Sequence, residues 1–220
     1  MARAAVVLLH GMARSSRSML PLAADLRRED YAVSNVGYPT RPYEIVEIVA
    51  RYVAPAIARC SHTAPVHVVT HSLGGILIRA YLQNRRLPAG SRIVMLAPPN
   101  QGSEVVDHVR SWRLYRFFMG RVGQQLGTGP DAICRRLASV DAEIGVIAAS
   151  RSLQPWFSRL LPGDDDGAVS VASTRLPEMR DFIVTDTSHS LIMFDSHVRS
   201  QVRYFLAHGC FRRADSTFRQ

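Results

Sequence analysis

The amino-acid sequence predicts an α/β fold, with a doubly wound, mostly parallel central sheet of about six strands and helices on both faces. Two observations lead to this prediction. Short runs that are apolar at nearly every position alternate with longer segments in which apolar residues recur every three or four positions. Strands that are apolar throughout are typical of parallel sheets buried on both faces. Right-handed crossovers between such strands give a doubly wound sheet.

The predicted strands are the short apolar runs in residues 4–9, 31–36, 66–70, 92–97, 144–149 and 182–185. The predicted helices lie between and after these runs, in residues 18–28, 42–59, 74–83 and 191–206. In the second helix, Ile45, Ile48 and Tyr52 fall at helical spacing. Pro55 predicts a kink there, because proline has no amide hydrogen to donate. Ligands of doubly wound sheets bind beyond the carboxyl ends of the strands, so functional residues are expected just after strands.

Length and composition indicate one domain. The 220 residues, 47% of them hydrophobic, are enough to form a sizeable core, and we expect a single domain over residues 1–220. The alternation of strands and helices breaks between residues 97 and 144. We therefore expect residues 101–142 to form a helical insertion that resembles a cap or lid.

The segment RSWRLYRFFMGR, residues 110–121, is the most distinctive part of that insertion. Trp112, Tyr115 and Phe118 recur every three residues, with arginines offset from them, which predicts an amphipathic helix with an aromatic face and a basic face. One interpretation is a lid over the site that touches lipid. The other is an ordinary helix whose aromatic side chains pack on the sheet.

The charge of the chain is strongly basic. The formal net charge is +9, and all 27 basic residues are arginine, which excludes a Ser-Lys dyad and a Schiff-base lysine. The arginines are scattered, so the sequence does not favour nucleic-acid binding. The simplest interpretation is an arginine-biased surface, and weak contact with an anionic membrane surface is the alternative. Nothing in the pattern indicates the oligomeric state.

Cysteine and histidine show no pattern typical of a disulfide framework or a metal site. Cys60, Cys134 and Cys210 are far apart and are interpreted as reduced thiols, and neither HExxH nor zinc-ligand spacing occurs. Residues 4–9 are too short for the apolar part of a signal peptide. No apolar run reaches the roughly 18 residues that span a bilayer. We therefore expect a cytoplasmic protein that needs no metal and no cofactor.

The stretch HVVTHSLGG, residues 67–75, carries the strongest functional motif. It resembles the nucleophile elbow G-x-S-x-G, with Thr70 in place of the first glycine, Ser72 as the serine and Gly74 as the second glycine. A serine that only caps the following helix is the alternative, because S-x-G alone is common. The apolar strand before Ser72 and the amphipathic helix after it favour a nucleophile.

A serine nucleophile needs a general base within hydrogen-bond reach. Among the eight histidines, His189 follows a predicted strand and precedes the last helix, where the topology places functional residues. His71 is adjacent to Ser72 in the chain, so the two side chains are expected to diverge. We assign His71, together with Gly11, to substrate binding.

The base in turn needs a carboxylate that fixes its tautomer and stabilises the imidazolium. The run GDDDG lies between the serine and histidine elements. Asp166 directly precedes a glycine and an apolar run, and we predict it as the acid. Asp164 and Asp165 are expected to face solvent, and Asp141 and Asp186 are weaker alternatives.

Two backbone N–H groups are needed to stabilise the charge that develops on the substrate oxygen. The residue after the nucleophile, Leu73, is expected to supply one amide, and Met12, in the loop after the first strand, the other. Gly11 lets the backbone turn in that loop, and His10 is expected to brace it.

With LLHGM, THSLGG, the DG turn and the late SH pair in this order, the sequence resembles the α/β-hydrolase superfamily, in particular its compact bacterial lipase- and esterase-like members. The resemblance spans nearly the whole chain. It implies an HG-Met oxyanion loop, matched by Gly11 and Met12, an acid before a glycine, matched by Asp166, and a base in the following loop, matched by His189. LAPPNQGSE, residues 96–104, resembles the stretch after the nucleophile helix and is expected to shape the pocket.

The sequence departs from the family pattern at Thr70 and in lacking the first hairpin of the larger hydrolases. The resemblance implies a serine hydrolase that cleaves carboxylic esters of small molecules or lipids through an acyl-enzyme, with Ser72, His189 and Asp166 as the catalytic triad. The alternatives are a thioesterase or acyltransferase with the same triad, and a hydrolase-fold protein with mainly a binding role.

Overall fold

The structure is a computed structural model that describes residues 4–60, 62 and 65–213, so the predicted domain of residues 1–220 extends outside the described part. In that part, six strands form one parallel sheet in the order β2-β1-β3-β4-β5-β6. The strands are β1 Ala5–Leu9, β2 Ala32–Val36, β3 Val66–His71, β4 Arg92–Leu96, β5 Glu143–Ala149 and β6 Asp181–Thr185. The predicted fold class is confirmed.

Helices cover both faces of the sheet. They are α1 Leu20–Arg28, α2 Ile45–Ile48, α3 Ala54–Cys60, α4 Leu73–Leu82, α5 Glu104–Val109, α6 Arg113–Gln124, α7 Ile133–Arg136, α8 Pro155–Ser158 and α9 Ser196–His208. Short 3-10 turns occupy Ser16–Met19 and Ala172–Thr174. None of the helices in the described residues is long and apolar enough to cross a bilayer.

Strand β1 shows how the sequence forms two cores. Every residue of β1 is buried. Val7 and Leu9 belong to the core under α2 and α4, whereas Val6 and Leu8 belong to the core under α1 and α9. Side chains alternate between the two faces of a strand, so a strand that is apolar throughout supplies both cores.

The predicted helix 42–59 forms as three consecutive segments. Glu44 and Glu47 make a capping box that begins α2, since the Glu47 carboxylate accepts a 2.8 Å hydrogen bond from the Glu44 amide. The chain then winds as a π-helix over Val49–Val53 before α3. Pro55 lies just beyond this π segment, and its missing amide hydrogen removes one helical bond at that point.

The last helix begins later than predicted, at Ser196 rather than near residue 191. The reason is a cap: the Asp195 carboxylate accepts a 3.0 Å hydrogen bond from the Val198 amide. Residues 190–194 form turns instead. This leaves a loop between β6 and α9 that carries His189.

The insertion between β4 and β5 contains α5, α6 and α7. The segment predicted as an amphipathic helix is helical from Arg113. Trp112 and Phe118 do not pack on the sheet, because they are 57% and 52% exposed, whereas Tyr115 is partly buried and packs against the core. Gly120 interrupts α6 with φ 62°. A side chain there would meet the Arg41 backbone, since a Cβ would lie 2.3 Å from its carbonyl oxygen.

Candidate active site

Ser72 lies on the sharp turn between β3 and α4. Its backbone has φ 50° and ψ −117°, a conformation that non-glycine residues rarely adopt. The Ser72 amide donates a 2.9 Å hydrogen bond to the Leu96 carbonyl on β4, which fixes the turn at the carboxyl edge of the sheet. A strained backbone held in this way is typical of functional residues.

Two glycines permit the close packing around this turn. A Cβ at Gly74 would lie 2.6 Å from the Leu9 carbonyl oxygen, and a Cβ at Gly11 would lie 2.7 Å from the His71 ring. No larger residue fits either position without a shift of its neighbours. Thr70, which departs from the elbow pattern, is fully buried, so a threonine side chain is accommodated there.

The structure brings Ser72, His189 and Asp166 together from three separate loops. The Ser72 hydroxyl lies 3.0 Å from His189 Nε2, and His189 Nδ1 lies 2.7 Å from an Asp166 carboxylate oxygen. An imidazole whose Nδ1–H donates to a carboxylate presents an unprotonated Nε2 as acceptor. In this tautomer the Ser72 hydroxyl donates its proton to Nε2 along one unbroken chain of hydrogen bonds.

Asp166 is held on both of its oxygens. While Oδ2 faces His189, Oδ1 accepts hydrogen bonds from the amides of Ala168 and Val169, at 3.0 and 2.8 Å. Its side chain is fully buried. A buried carboxylate with every oxygen paired keeps one orientation toward the imidazole.

The other acidic candidates lie elsewhere. Asp164, Asp141 and Asp186 are exposed. Asp165 was expected to face solvent, and that prediction is wrong, because its carboxylate is buried and accepts hydrogen bonds from the Ser158 hydroxyl and the Gly167 amide, at 2.9 and 2.7 Å. Asp165 therefore stabilises the backbone of this turn, and Asp166 is the aspartate of the run GDDDG that faces the histidine.

The amides of Met12 and Leu73 remain predictions as oxyanion donors. Met12 follows β1 and Leu73 begins α4, so both follow strands that are neighbours in the sheet. Neither amide donates a hydrogen bond to any described residue. The first amides of a helix lack partners within the helix and are available to a ligand.

His10 braces the Met12 loop. Its Nδ1 donates to the Gly11 carbonyl at 2.9 Å, and its Nε2 accepts from the Tyr38 amide at 3.3 Å. The two rings stack with centroids 4.0 Å apart, and the Tyr38 hydroxyl donates to the His10 carbonyl at 2.5 Å. Burial lowers the pKa of His10 below its usual value, which keeps the ring neutral in this role.

His71 does not line the cavity at Ser72 but supports the loop of His189. Its Nε2 donates a 2.9 Å hydrogen bond to the His189 carbonyl, and the two ring centroids lie 5.1 Å apart. Burial is the main cause that holds the pKa of His71 well below its usual value, and the charge of the nearby His189 is the second cause. This position favours a neutral positioning residue over the predicted substrate contact. Gly11, the other predicted substrate-binding residue, is buried and packs against the His71 ring.

A cavity of about 140 Å³ opens beside the serine and the histidine. Apolar side chains form much of its wall, among them Val106 and Tyr115 from the insertion, Phe157 on α8 and Val169. Burial raises the pKa of Tyr115 to about 12, so its hydroxyl stays neutral. An apolar wall with few polar groups suits the acyl part of an ester.

Sequence reasoning missed part of this wall. Phe157 lies on a four-residue helix that no periodicity could reveal, although Pro155 marks its start. Pro99 and Ser103, within the stretch expected to shape the pocket, do line the cavity. The buried Arg79 secures that stretch by donating a 2.9 Å hydrogen bond to the Asn100 carbonyl.

Comparison with known sequences identifies a family. A model of the alpha/beta hydrolase family matches residues 6–213 of this chain. None of the curated protein sequences compared with the chain matches it significantly.

Solved structures with a similar fold include lipases and esterases. The mature form of the Bacillus licheniformis lipase BlEst2 has a TM-score of 0.75 at 18% identity, over 94% of this chain and 92% of that one. The metagenomic carboxyl esterase MGS0156 has a TM-score of 0.69 at 19% identity, over 87% and 66%. Phospholipase PlaB from Legionella pneumophila has a TM-score of 0.63 at 19% identity, over 77% and 45%.

Proposed function

This chain belongs to the alpha/beta hydrolase family, and we propose that it is a serine hydrolase that cleaves carboxylic esters through an acyl-enzyme. The observation that carries the proposal is the chain of hydrogen bonds from the Ser72 hydroxyl through the His189 ring to the Asp166 carboxylate, at 3.0 and 2.7 Å. The lipases and esterases among the similar structures support the choice of esters.

In the proposed reaction, the Ser72 oxygen attacks the acyl carbon of the ester as its proton moves to His189 Nε2. The amides of Leu73 and Met12 stabilise the negative oxygen of the tetrahedral intermediate. The intermediate collapses, the carbon–oxygen bond to the alcohol breaks, and the imidazolium gives its proton to the departing alkoxide. Asp166 stabilises the imidazolium throughout.

The acyl-enzyme is then hydrolysed by the same groups. His189 takes a proton from water, the resulting hydroxide attacks the acyl carbon, and the proton returns to the Ser72 oxygen as the acid leaves. Every proton in the cycle passes through Nε2, and water is the second substrate.

Labelling with a fluorophosphonate probe tests the proposal directly. We expect wild-type protein to be labelled stoichiometrically and Ser72→Ala not at all, because the probe phosphonylates only an activated serine. Ser196→Ala, at an exposed serine on α9, serves as the matched control and should label like wild type. Absence of labelling of the wild type, with a folded protein by circular dichroism, would contradict the proposal.

A chain-length series of aryl esters then defines the substrate. Because the cavity at Ser72 holds only about 140 Å³, we expect short acyl chains to be accommodated there fully and longer ones to extend toward the insertion. Hydrolysis of thioesters faster than of matched oxygen esters would instead indicate a thioesterase.

A further inference from the structure

A second cavity lies beside the catalytic one. It has a volume of about 930 Å³, and its lining includes Arg14, Arg41, Arg116, Phe117 and Phe118. We call it the arginine groove. We propose that it binds the anionic group of the substrate, so that the preferred esters are amphiphiles in which an apolar body carries a carboxylate or phosphate. This inference rests on the proposed function and names its substrate class.

The two cavities share two walls. Met12 lines the catalytic cavity, and the next residues, Ala13 and Arg14, line the groove. Likewise Tyr115 faces the catalytic cavity, and the next residue of α6, Arg116, lines the groove. The linings of the two cavities therefore adjoin along both segments.

The groove begins a short distance from the serine. A Cβ at Gly11 would lie 3.3 Å from the Ser72 Cβ. Arg14 is three residues further along, so its Cα lies within about 11 Å of the Gly11 Cα. The Arg14 charge also lowers the pKa of His71 next to the site, although burial and the charge of His189 lower it more.

The volumes show why a substrate would use both cavities. Pockets for small organic ligands typically enclose about 300–1,000 Å³. The catalytic cavity, at about 140 Å³, is too small for such a ligand, whereas the groove adds about 930 Å³. The catalytic cavity thus holds the reacting group and a short apolar segment, and the rest of the molecule lies in the groove.

No described carboxylate pairs with the positive charges in the groove. Among the described residues, no carboxylate forms an ion pair with Arg14, Arg41 or Arg116, and no acidic side chain lines the groove. By contrast, Arg92 pairs with Glu143 at 2.8 Å. Like charges around one cavity repel each other and attract an anion.

The groove also offers an apolar surface and a fixed shape. The Arg41 guanidinium lies 4.6 Å from the centroid of the Phe117 ring, a cation–π contact that orients it. The Arg121 amide donates a hydrogen bond to the Arg41 carbonyl at 3.3 Å, so α6 and the loop of Arg41 are joined. Guanidinium groups held over aromatic rings recognise carboxylates and phosphates well, because two N–H groups point the same way.

Matched esters test the inference by turnover. One series comprises 4-nitrophenyl monoesters of dicarboxylic acids, and the other comprises 4-nitrophenyl esters of monocarboxylic acids of the same chain length. We expect kcat/KM to be higher for the anionic series in wild type. The ratio of the two kcat/KM values should fall about tenfold in Arg116→Gln and further in Arg116→Glu. Arg86→Gln, at an exposed arginine outside the groove, should leave the ratio unchanged.

Calorimetric titration with octyl phosphate and with octanol tests binding without turnover. We expect octyl phosphate to bind more tightly, and Arg116→Glu to weaken it at least tenfold. If Arg116→Glu weakens the binding of octyl phosphate but no ester is hydrolysed, the groove is supported as an anion site and the proposed hydrolase function is contradicted. If esters are hydrolysed but neither the ratio nor octyl phosphate binding depends on Arg14, Arg41 or Arg116, the groove proposal is overturned and the hydrolase stands.

Binding to vesicles distinguishes a site for one anionic molecule from a surface that contacts an anionic membrane. Retention on phosphatidylcholine vesicles that contain phosphatidylglycerol, without binding of monomeric octyl phosphate, would assign the arginines to membrane contact and overturn the groove. Octyl phosphate binding with no such retention supports the groove as a site for one molecule.

Discussion

The turn at Ser72 and helix α6 lie on two sides of the same cavity, yet they are built in opposite ways. Around Ser72, Asp166 and His71, the side chains are buried and polar atoms are joined by hydrogen bonds shorter than 3.1 Å. Along α6, Leu114 and Phe117 are exposed by 67% and 62%. The proposed catalytic groups are thus held in place by the core, whereas the proposed selection of the substrate falls to an exposed helix face.

The largest effect is expected at the base. In His189→Ala, the hydroxyl of Ser72 loses its proton acceptor, and kcat should fall by a factor on the order of 10^4 to 10^6. His197→Ala, at an exposed histidine on α9, is the matched control and should retain wild-type kcat. A loss of less than tenfold in His189→Ala with an aryl ester would rule out His189 as the base.

Substitutions at the two buried aspartates separate a catalytic role from a structural one near Ser72. Asp166→Asn should lower kcat about 10^3- to 10^4-fold, because an amide stabilises neither the tautomer nor the imidazolium. Asp165→Asn should mainly lower the melting temperature, since its partners are the Ser158 hydroxyl and the Gly167 amide. Kinetics and thermal melts of both variants show which aspartate serves catalysis and which serves stability. A larger kcat loss in Asp165→Asn would show that the acid is misassigned.

Adding one methyl group compares the turn at Ser72 with the insertion. Gly74→Ala should destabilise the protein by about 2 kcal/mol, because the new Cβ would lie 2.6 Å from the Leu9 carbonyl oxygen. Gly129→Ala, in the insertion, has no atom within 4 Å of the new Cβ and should change stability by less than about 0.5 kcal/mol. Urea denaturation of both variants measures the difference, and equal values would contradict the contrast in packing.

The protein should lose stability as the pH falls, because His71 is buried in its neutral form. Burial holds the pKa of His71 well below its usual value of 6.5, so the unfolded chain takes up a proton below that pH while the folded chain does not. Stability contributed by the neutral ring is therefore complete above about pH 6.5 and declines as the pH falls below it. Melting temperatures from pH 8 to 5 should fall more steeply in wild type than in His71→Gln. The variant His108→Gln, at an exposed histidine, should follow wild type.

The smallest effect on folding is expected on α6. Trp112→Ser and Phe118→Ser should change the free energy of unfolding by no more than about 0.5 kcal/mol, because both side chains are more than half exposed. If α6 contacts lipid or long acyl chains, the same variants should lose activity on long-chain esters more than on short ones. Val46→Ser, exposed by 61% on α2, controls for a general loss of surface apolarity. Equal activity of all three variants on every chain length would favour a purely structural helix.

Much of the architecture could be predicted from periodicity. The apolar runs near residues 4–9 and 144–149 became β1 and β5 within one residue, because a strand buried on both faces admits only apolar side chains. The start of the last helix was missed by five residues. Its position depends on whether the Asp195 side chain reaches the Val198 amide, which is a local geometry that hydrophobic spacing does not encode.

The apolar pattern alone predicted the parallel sheet and placed Ser72, Asp166 and His189 after its third, fifth and sixth strands, since parallel strands place all such loops at one edge. The burial of Asp165, which was expected to face solvent, and the support that His71 gives to the His189 loop are visible in the tertiary structure alone. The tertiary structure also shows Phe117 and Phe118 to be exposed beside three arginines that form no ion pair with any described residue. Chain order fixes which elements meet, but orientation within a loop depends on hydrogen bonds between residues distant in sequence, and these form only when the core is packed.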